Sequence, residues 1–171
     1  MCRSRLVFSV LLSGLIFVSA HAQAGEPRLM GSYGDWEAYT FFEAGNKVCY
    51  MASQPKAKEG NYTKRGEPFV LITHRPADST RNVFSYITGY SYKSGSEATA
   101  TIDGKDYVLY TQDETAWGPD AETDKRLADA IKNGSKMSIK GVSSRGTKTT
   151  DTFSLKGSSK AYKRISDECR G

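Results

Sequence analysis

The reactive side chains of this 171-residue chain are few: two histidines and three cysteines. His21 and Cys2 lie in an N-terminal stretch that reads as a removable export signal, which leaves His74, Cys49 and Cys169. A metal site built from several imidazoles is therefore not expected, and a Ser-His-Asp triad would have to rest on His74 alone. That residue sits in Leu71-Ile72-Thr73-His74-Arg75-Pro76, with no Gly-x-Ser-x-Gly nucleophile turn in the chain. It reads as a strand-terminal or surface histidine. The carboxylates Asp113, Glu114, Asp120, Glu122 and Asp124 are scattered near a helix start, where acidic groups complement the helix dipole. Nothing local separates two of their pKa values as acid–base hydrolysis requires. Cys49 and Cys169 form an even pair, and in an oxidising compartment such a pair reads as a structural disulfide. Redox chemistry commonly uses a tighter Cys-x-x-Cys spacing. No catalytic residues, metal or cofactor are expected.

Binding has better material. Phe84, Tyr86, Tyr90 and Tyr92 share one strand parity, giving an aromatic face that fits either a core or a recognition surface, with Gly89 as a possible bulge. Trp36 and Trp117 carry the same two readings. Between Gln54 and Glu67, Lys56, Lys58, Lys64 and Arg65 stand among Gly60, Asn61 and Gly66 without hydrophobic period. The segment reads as an exposed basic loop, solvated or attracted to an anionic surface.

The elements that must position these residues begin after the signal. Arg3 and Arg5 precede an apolar run from Leu6 to Val18 that is shorter than the roughly 18 residues of a membrane span. Ala22-Gln23-Ala24 then supplies the small residues of a cleavage site. Residues 1–24 are read as a signal peptide cleaved after Ala24, and residues 25–171 as one β-rich domain without a transmembrane or lipid anchor. The chain's formal net charge of +5 loses two arginines with the signal, and the remainder is too mild to point to nucleic acid.

Short apolar stretches separated by Gly, Pro, Asn and Asp predict a mainly β, antiparallel sandwich or barrel-like domain. Candidate strands lie near residues 34–42, 47–52, 68–75, 82–92, 98–102, 107–112, 136–142 and 149–155. Asp103-Gly104 predicts a type I′ hairpin turn, and a second hairpin is expected around Arg145-Gly146-Thr147. In the latter, Met137/Ile139 and Phe153/Leu155 should face inward. One helix is expected from an Asp120 cap through Leu127 and Ile131 to Gly134, and a second, a turn or two long, from a Ser159 cap through Ala161 and Ile165.

Several ordered groups carry a family resemblance: Gly34-Asp35-Trp36, Cys49 with Gln54-Pro55, Gly89-Tyr90, Ile102-Asp103-Gly104 and Ala116-Trp117. Ser144-Arg145-Gly146-Thr147, Asp151-Thr152-Phe153-Ser154-Leu155, Gly157, Ala161 and Cys169 complete them. With these the chain resembles the invasion-associated locus B family of alphaproteobacterial exported proteins. The resemblance implies a β-rich periplasmic or envelope-associated protein, linked in some pathogens to host-cell entry, and supplies no catalytic residue. Many members of the family place a further cysteine where this chain has Ala38-Tyr39-Thr40, so a second disulfide is not expected. The resulting expectation is a non-catalytic protein that binds an envelope or host-surface partner through residues such as Trp36, Tyr90, Tyr92, Trp117 or the basic segment. A periplasmic hydrolase acting on envelope polymer and a structural envelope component are the alternatives.

Overall fold

A computed structural model describes residues 25–170; the expected signal peptide and its expected cleavage after Ala24 lie outside the described residues. The described residues form eleven strands in one sheet, two α-helices and one turn of 3-10 helix at Pro76–Asp78. The strands are β1 (Arg28–Tyr33), β2 (Trp36–Glu43), β3 (Asn46–Ser53), β4 (Ala57–Gly60), β5 (Phe69–Arg75), β6 (Thr80–Ile87), β7 (Glu97–Ile102), β8 (Lys105–Gln112), β9 (Thr115–Trp117), β10 (Lys136–Val142) and β11 (Lys148–Ser154). Helix α1 spans Ala121–Asn133 and α2 spans Ser158–Glu168.

Every pairing in the sheet is antiparallel, in the order β1-β2-β3-β5-β6-β9-β8-β7-β10-β11-β4. The ladder is open, yet the sheet curls until its ends meet. The Asp35 N–H donates to the Lys156 carbonyl at 3.0 Å, and the Trp36 indole N–H donates to the Ser154 carbonyl at 3.1 Å. At this seam Gly157 adopts φ 95°, and a Cβ there would collide with the Tyr33 carbonyl. Only glycine allows both the left-handed backbone and the close approach.

Inward residues alternate along each strand, as a half-buried sheet requires. Trp36, Met51, Ile72, Phe84, Tyr86, Leu109, Met137, Ile139 and Phe153 form the core with Leu127 and Ile131 of α1 and Ile165 of α2. Helix α1 packs on β6, and α2 packs on β1, β2 and β3. The Asp120 carboxylate caps α1, accepting from the Thr123 N–H at 2.6 Å, and Gly134 ends the helix, as expected. Both predicted hairpins form: Asp103 and Gly104 have φ 45° and 88°, and Met137 pairs with Phe153 between two inward faces. Among the described residues no helix is long and apolar enough to cross a membrane.

Four expectations are corrected. β1 and β9 lie outside the sequence-predicted strands, because β1 is broken by a register shift between Leu29 and Gly31 and β9 is only three residues long. The 82–92 stretch is not one strand: it leaves the ladder after Ile87, where Gly89 turns the chain at φ 74°, and Tyr92 returns only as an isolated bridge to Ser143. Helix α2 is eleven residues long and is preceded by Gly157 rather than capped by Ser159; the Ser158 hydroxyl bonds instead to the Ile131 carbonyl at 2.7 Å. Finally, residues 54–67 are not simply an exposed loop. They leave β3, cross the seam, pair with β11 as β4, and return to β5 beside β3. The segment is a strap that ties β3 and β5 to β11 across the seam.

Candidate functional site

The expected binding residues do not gather in one place. Trp36 is fully buried beneath the seam. Phe84, Tyr86 and Tyr92 are core residues, while Tyr90 is half-buried and packs edge-on to Tyr92 at 5.4 Å between ring centroids. The strap's basic residues divide. Lys56 pairs with Asp35 at 2.5 Å and Lys58 with Glu67 at 3.0 Å, both at the surface, whereas Lys64 is exposed.

Arg65 departs most from expectation. Its side chain is only 3% exposed and lies against Asp151, which is 0% exposed. The guanidinium donates through two nitrogens to the two carboxylate oxygens, one contact at 2.8 Å. It donates further to the Thr88 carbonyl at 2.7 Å and the Tyr86 hydroxyl at 3.0 Å, and the Tyr86 hydroxyl in turn donates to Asp151. The rings of Tyr62 and Tyr90 flank the guanidinium at 5.5 and 5.0 Å. Burial pulls against the charge, but the paired carboxylate outweighs it and holds Arg65 above its ordinary pKa. A buried bidentate pair of this kind positions the backbone around it. Beside it, the Gly66 N–H donates to the Gly89 carbonyl at 2.9 Å, and a Cβ on Gly89 would strike the Gly66 backbone. Asp151 was readable as an inward carboxylate, since it shares strand parity with Phe153 and Leu155. A carboxylate on that face needs a cation.

His74 is buried, not at the surface, although it does stand near the end of β5. Its Nδ1 accepts from the Asn82 N–H at 3.1 Å, so the proton sits on Nε2, which donates to the Ser166 hydroxyl at 3.1 Å. That is the opposite tautomer to the one that would take a proton from a serine nucleophile, and among the described residues no carboxylate bonds to the ring. Burial, then the nearby Arg81 charge, pushes the imidazole down to about 4. Next to it Cys49 and Cys169 are joined by a disulfide with Cα atoms 6.0 Å apart, fixing the end of α2 to β3. Asp124 is also buried; burial raises its carboxyl to about 6, with the Phe84 N–H donating to it at 3.2 Å. No group of three or more His, Cys, Asp or Glu among the described residues could hold a metal.

Two open clefts among the described residues bear on binding. One, of about 550 Å³, lies on the outward face of the sheet, between Tyr39, Tyr50, Ala52, Phe69, Leu71 and Ile87. Tyr39 and Tyr50 stack at 5.0 Å, and the bond that Tyr39 donates to Glu37 (2.5 Å), with partial desolvation, pushes its phenol up to about 12. The ladder extends this face in register: Ala52 is paired with Leu71, Leu71 with Ser85, Ser85 with Trp117, and Trp117 with Tyr110. Trp117 and Tyr110 stack at 5.4 Å; Tyr110 is 46% and Val108 51% exposed. The sequence signal for this face was the second, outward set of apolar residues in β2, β5 and β8. The other cleft, of about 690 Å³, lies where the strap meets the loop before β11, between Lys64, Arg65, Tyr62, Tyr90, Arg145 and several serine and threonine side chains.

The described residues define a mainly β, single-domain protein with a disulfide between Cys49 and Cys169. A family model described as "Invasion associated locus B (IalB) protein" matches residues 36–166, and the chain belongs to that family. The crystal structure of invasion associated protein B from Bartonella henselae is similar, with a TM-score of 0.57 at 16% identity over 81% of this chain and 95% of that one. That likeness concerns the fold. No curated protein matches the chain.

Proposed function

We propose that this is an exported, non-catalytic binding protein of the periplasm or cell envelope, which recognises an envelope or host-surface partner through the outward face of β2, β3, β5, β6, β9 and β8. The carrying observation is that face itself. A solvent-facing side of an antiparallel sheet is ordinarily polar, but here Tyr39, Tyr50 and Leu71 stand on it on one side of Ser85, and Trp117, Tyr110 and Val108 on the other. Clustered exposed apolar side chains of this sort mark interaction sites, and the stacked pairs Tyr39–Tyr50 and Tyr110–Trp117 bring large contact area at small entropic cost. The buried disulfide fits an oxidising compartment, and the family's name connects such chains with invasion.

The test expresses the full 171-residue sequence, export segment included, with Val108→Lys and Tyr110→Lys in its outward face. Both side chains are exposed, so the variant should fold, checked by circular dichroism and thermal melting. Crosslinking in the intact envelope should capture a defined partner with the parent sequence and lose it with the variant. Recovery of the protein alone, or undiminished capture by the variant, would sink this reading.

A further inference from the structure

We propose that the cleft between the strap and the loop before β11 is a separate binding site for an anionic sugar, a hydroxyl-rich ring carrying a carboxylate or phosphate. Its lining holds three cationic side chains, Lys64, Arg65 and Arg145, and no acidic one. The charge of Arg65 is answered from beneath by Asp151. Lys64 and Arg145 form no ion pair among the described residues, so their charge is available to a ligand. Such a concave surface of one sign concentrates anions.

The remaining lining selects among anions. Tyr62 and Tyr90 give the cleft an apolar wall for the C–H face of a sugar ring. They are held in place by the Arg65 guanidinium between them and by the bond of the Tyr90 hydroxyl to the Thr149 hydroxyl at 2.7 Å. Asn61, Thr63, Ser91 and Ser144 are exposed polar side chains around it, matching a ligand rich in hydroxyls. The volume of about 690 Å³ lies within the range of small-molecule sites, roughly 300–1,000 Å³. Its floor is rigid, because Gly66 and Gly89 meet backbone to backbone and Arg65 is fixed by Asp151, Tyr86 and Thr88. This site lies apart from the outward apolar face, and either proposal can fail without the other.

Calorimetric titration of the disulfide-bonded chain with glucose 6-phosphate, glucuronate, inorganic phosphate and glucose separates the contributions. At least one anionic sugar should bind, more tightly than phosphate, and glucose should not; which one binds identifies the phosphate or the carboxylate as the recognised group. Lys64→Ala with Arg145→Ala should weaken that binding about tenfold or more, the loss expected for charged hydrogen bonds. Lys56→Ala, outside the cleft, should leave it unchanged. Lack of binding by both anionic sugars up to about 10 mM, well above a millimolar Kd, would overturn the proposal. So would equal binding of inorganic phosphate or glucose, or undiminished binding by the double variant.

Discussion

The two ends of β5 are closed by opposite chemistry. At one end His74 pairs with Cys49 across the ladder, and the groups that close it are neutral, a disulfide, an uncharged imidazole and a serine hydroxyl, with the Arg81 cation close by and donating to the Cys169 carbonyl at 2.8 Å. At the other end Val70 pairs with Tyr86, and the neighbourhood is ionic, with the Arg65 guanidinium and the Asp151 carboxylate removed from water together. The difference follows from what each end must hold. The first attaches a helix, α2, which brings apolar surface and can be fixed covalently. The second attaches the strap, a short segment with little apolar surface, and a bidentate ion pair supplies the directional grip that hydrophobic contact cannot.

The largest effect is expected from breaking the ionic end. Asp151→Asn leaves the Arg65 guanidinium buried without its counter-charge, a change that typically costs about 3–5 kcal/mol. Urea unfolding should show this loss, and Arg65→Met with Asp151→Leu should recover much of it if the end needs packing rather than charge. A surface pair in the same strap gives the contrast: Lys56→Ala, whose partner is Asp35, should cost less than about 1 kcal/mol. Equal losses from the two substitutions would show that the strap is held by something other than the buried pair.

The neutral end should yield the next largest effect. Replacing Cys49 and Cys169 by serine frees a loop closed across a sequence separation of 120 and is expected to cost about 2–4 kcal/mol. The same variant should raise hydrogen exchange in α2 before it does so in β10 and β11, which pack without the helix's tail. A uniform rise across the protein would mean that α2 and the sheet unfold as one unit.

The sequence disclosed the neutral end better than the ionic one, and the reason is physical. A cysteine pair in an oxidising compartment has one stable outcome, and Ala161 and Ile165, four apart, mark the buried stripe of α2; both are local or countable. Arg65 looked like Lys64 because nothing local distinguishes them. What separates the two is a crossing of the seam that brings Arg65 over Asp151, a contact 86 residues away in sequence. The split of the aromatic strand at Gly89 was visible only as a possibility, and its actual cause is the Gly66 backbone lying against it. The outward apolar face was hidden by the inward one: both Tyr39 and Ala38 satisfy a strand pattern, and only the curl of the sheet decides which of them meets the core.

The smallest net effect in the unaltered chain is expected from pH, and it tests whether the imidazole at the neutral end stays uncharged. His74, held down to about 4 by burial and by Arg81, stays unprotonated in the fold while the unfolded chain takes up a proton near its ordinary 6.5. Its contribution is therefore complete above pH 6.5 and falls as pH drops from 6.5 to 4, by up to about 3 kcal/mol. Asp124 works in the other direction. Raised by burial to about 6, it binds a proton in the fold before it does so in the unfolded chain, so acidification from 6 toward 4 restores stability. The two opposing slopes overlap and should leave the unaltered chain nearly flat across that window. Asp124→Asn keeps an acceptor for the Phe84 N–H and removes one slope, so its unfolding free energy should fall steadily between pH 6.5 and 4. His74→Gln removes the other, and that variant should gain stability over the same range. A flat profile for Asp124→Asn would mean that His74 is protonated inside the fold, and the hydrogen bond from the Asn82 N–H to Nδ1 would then have to be given up.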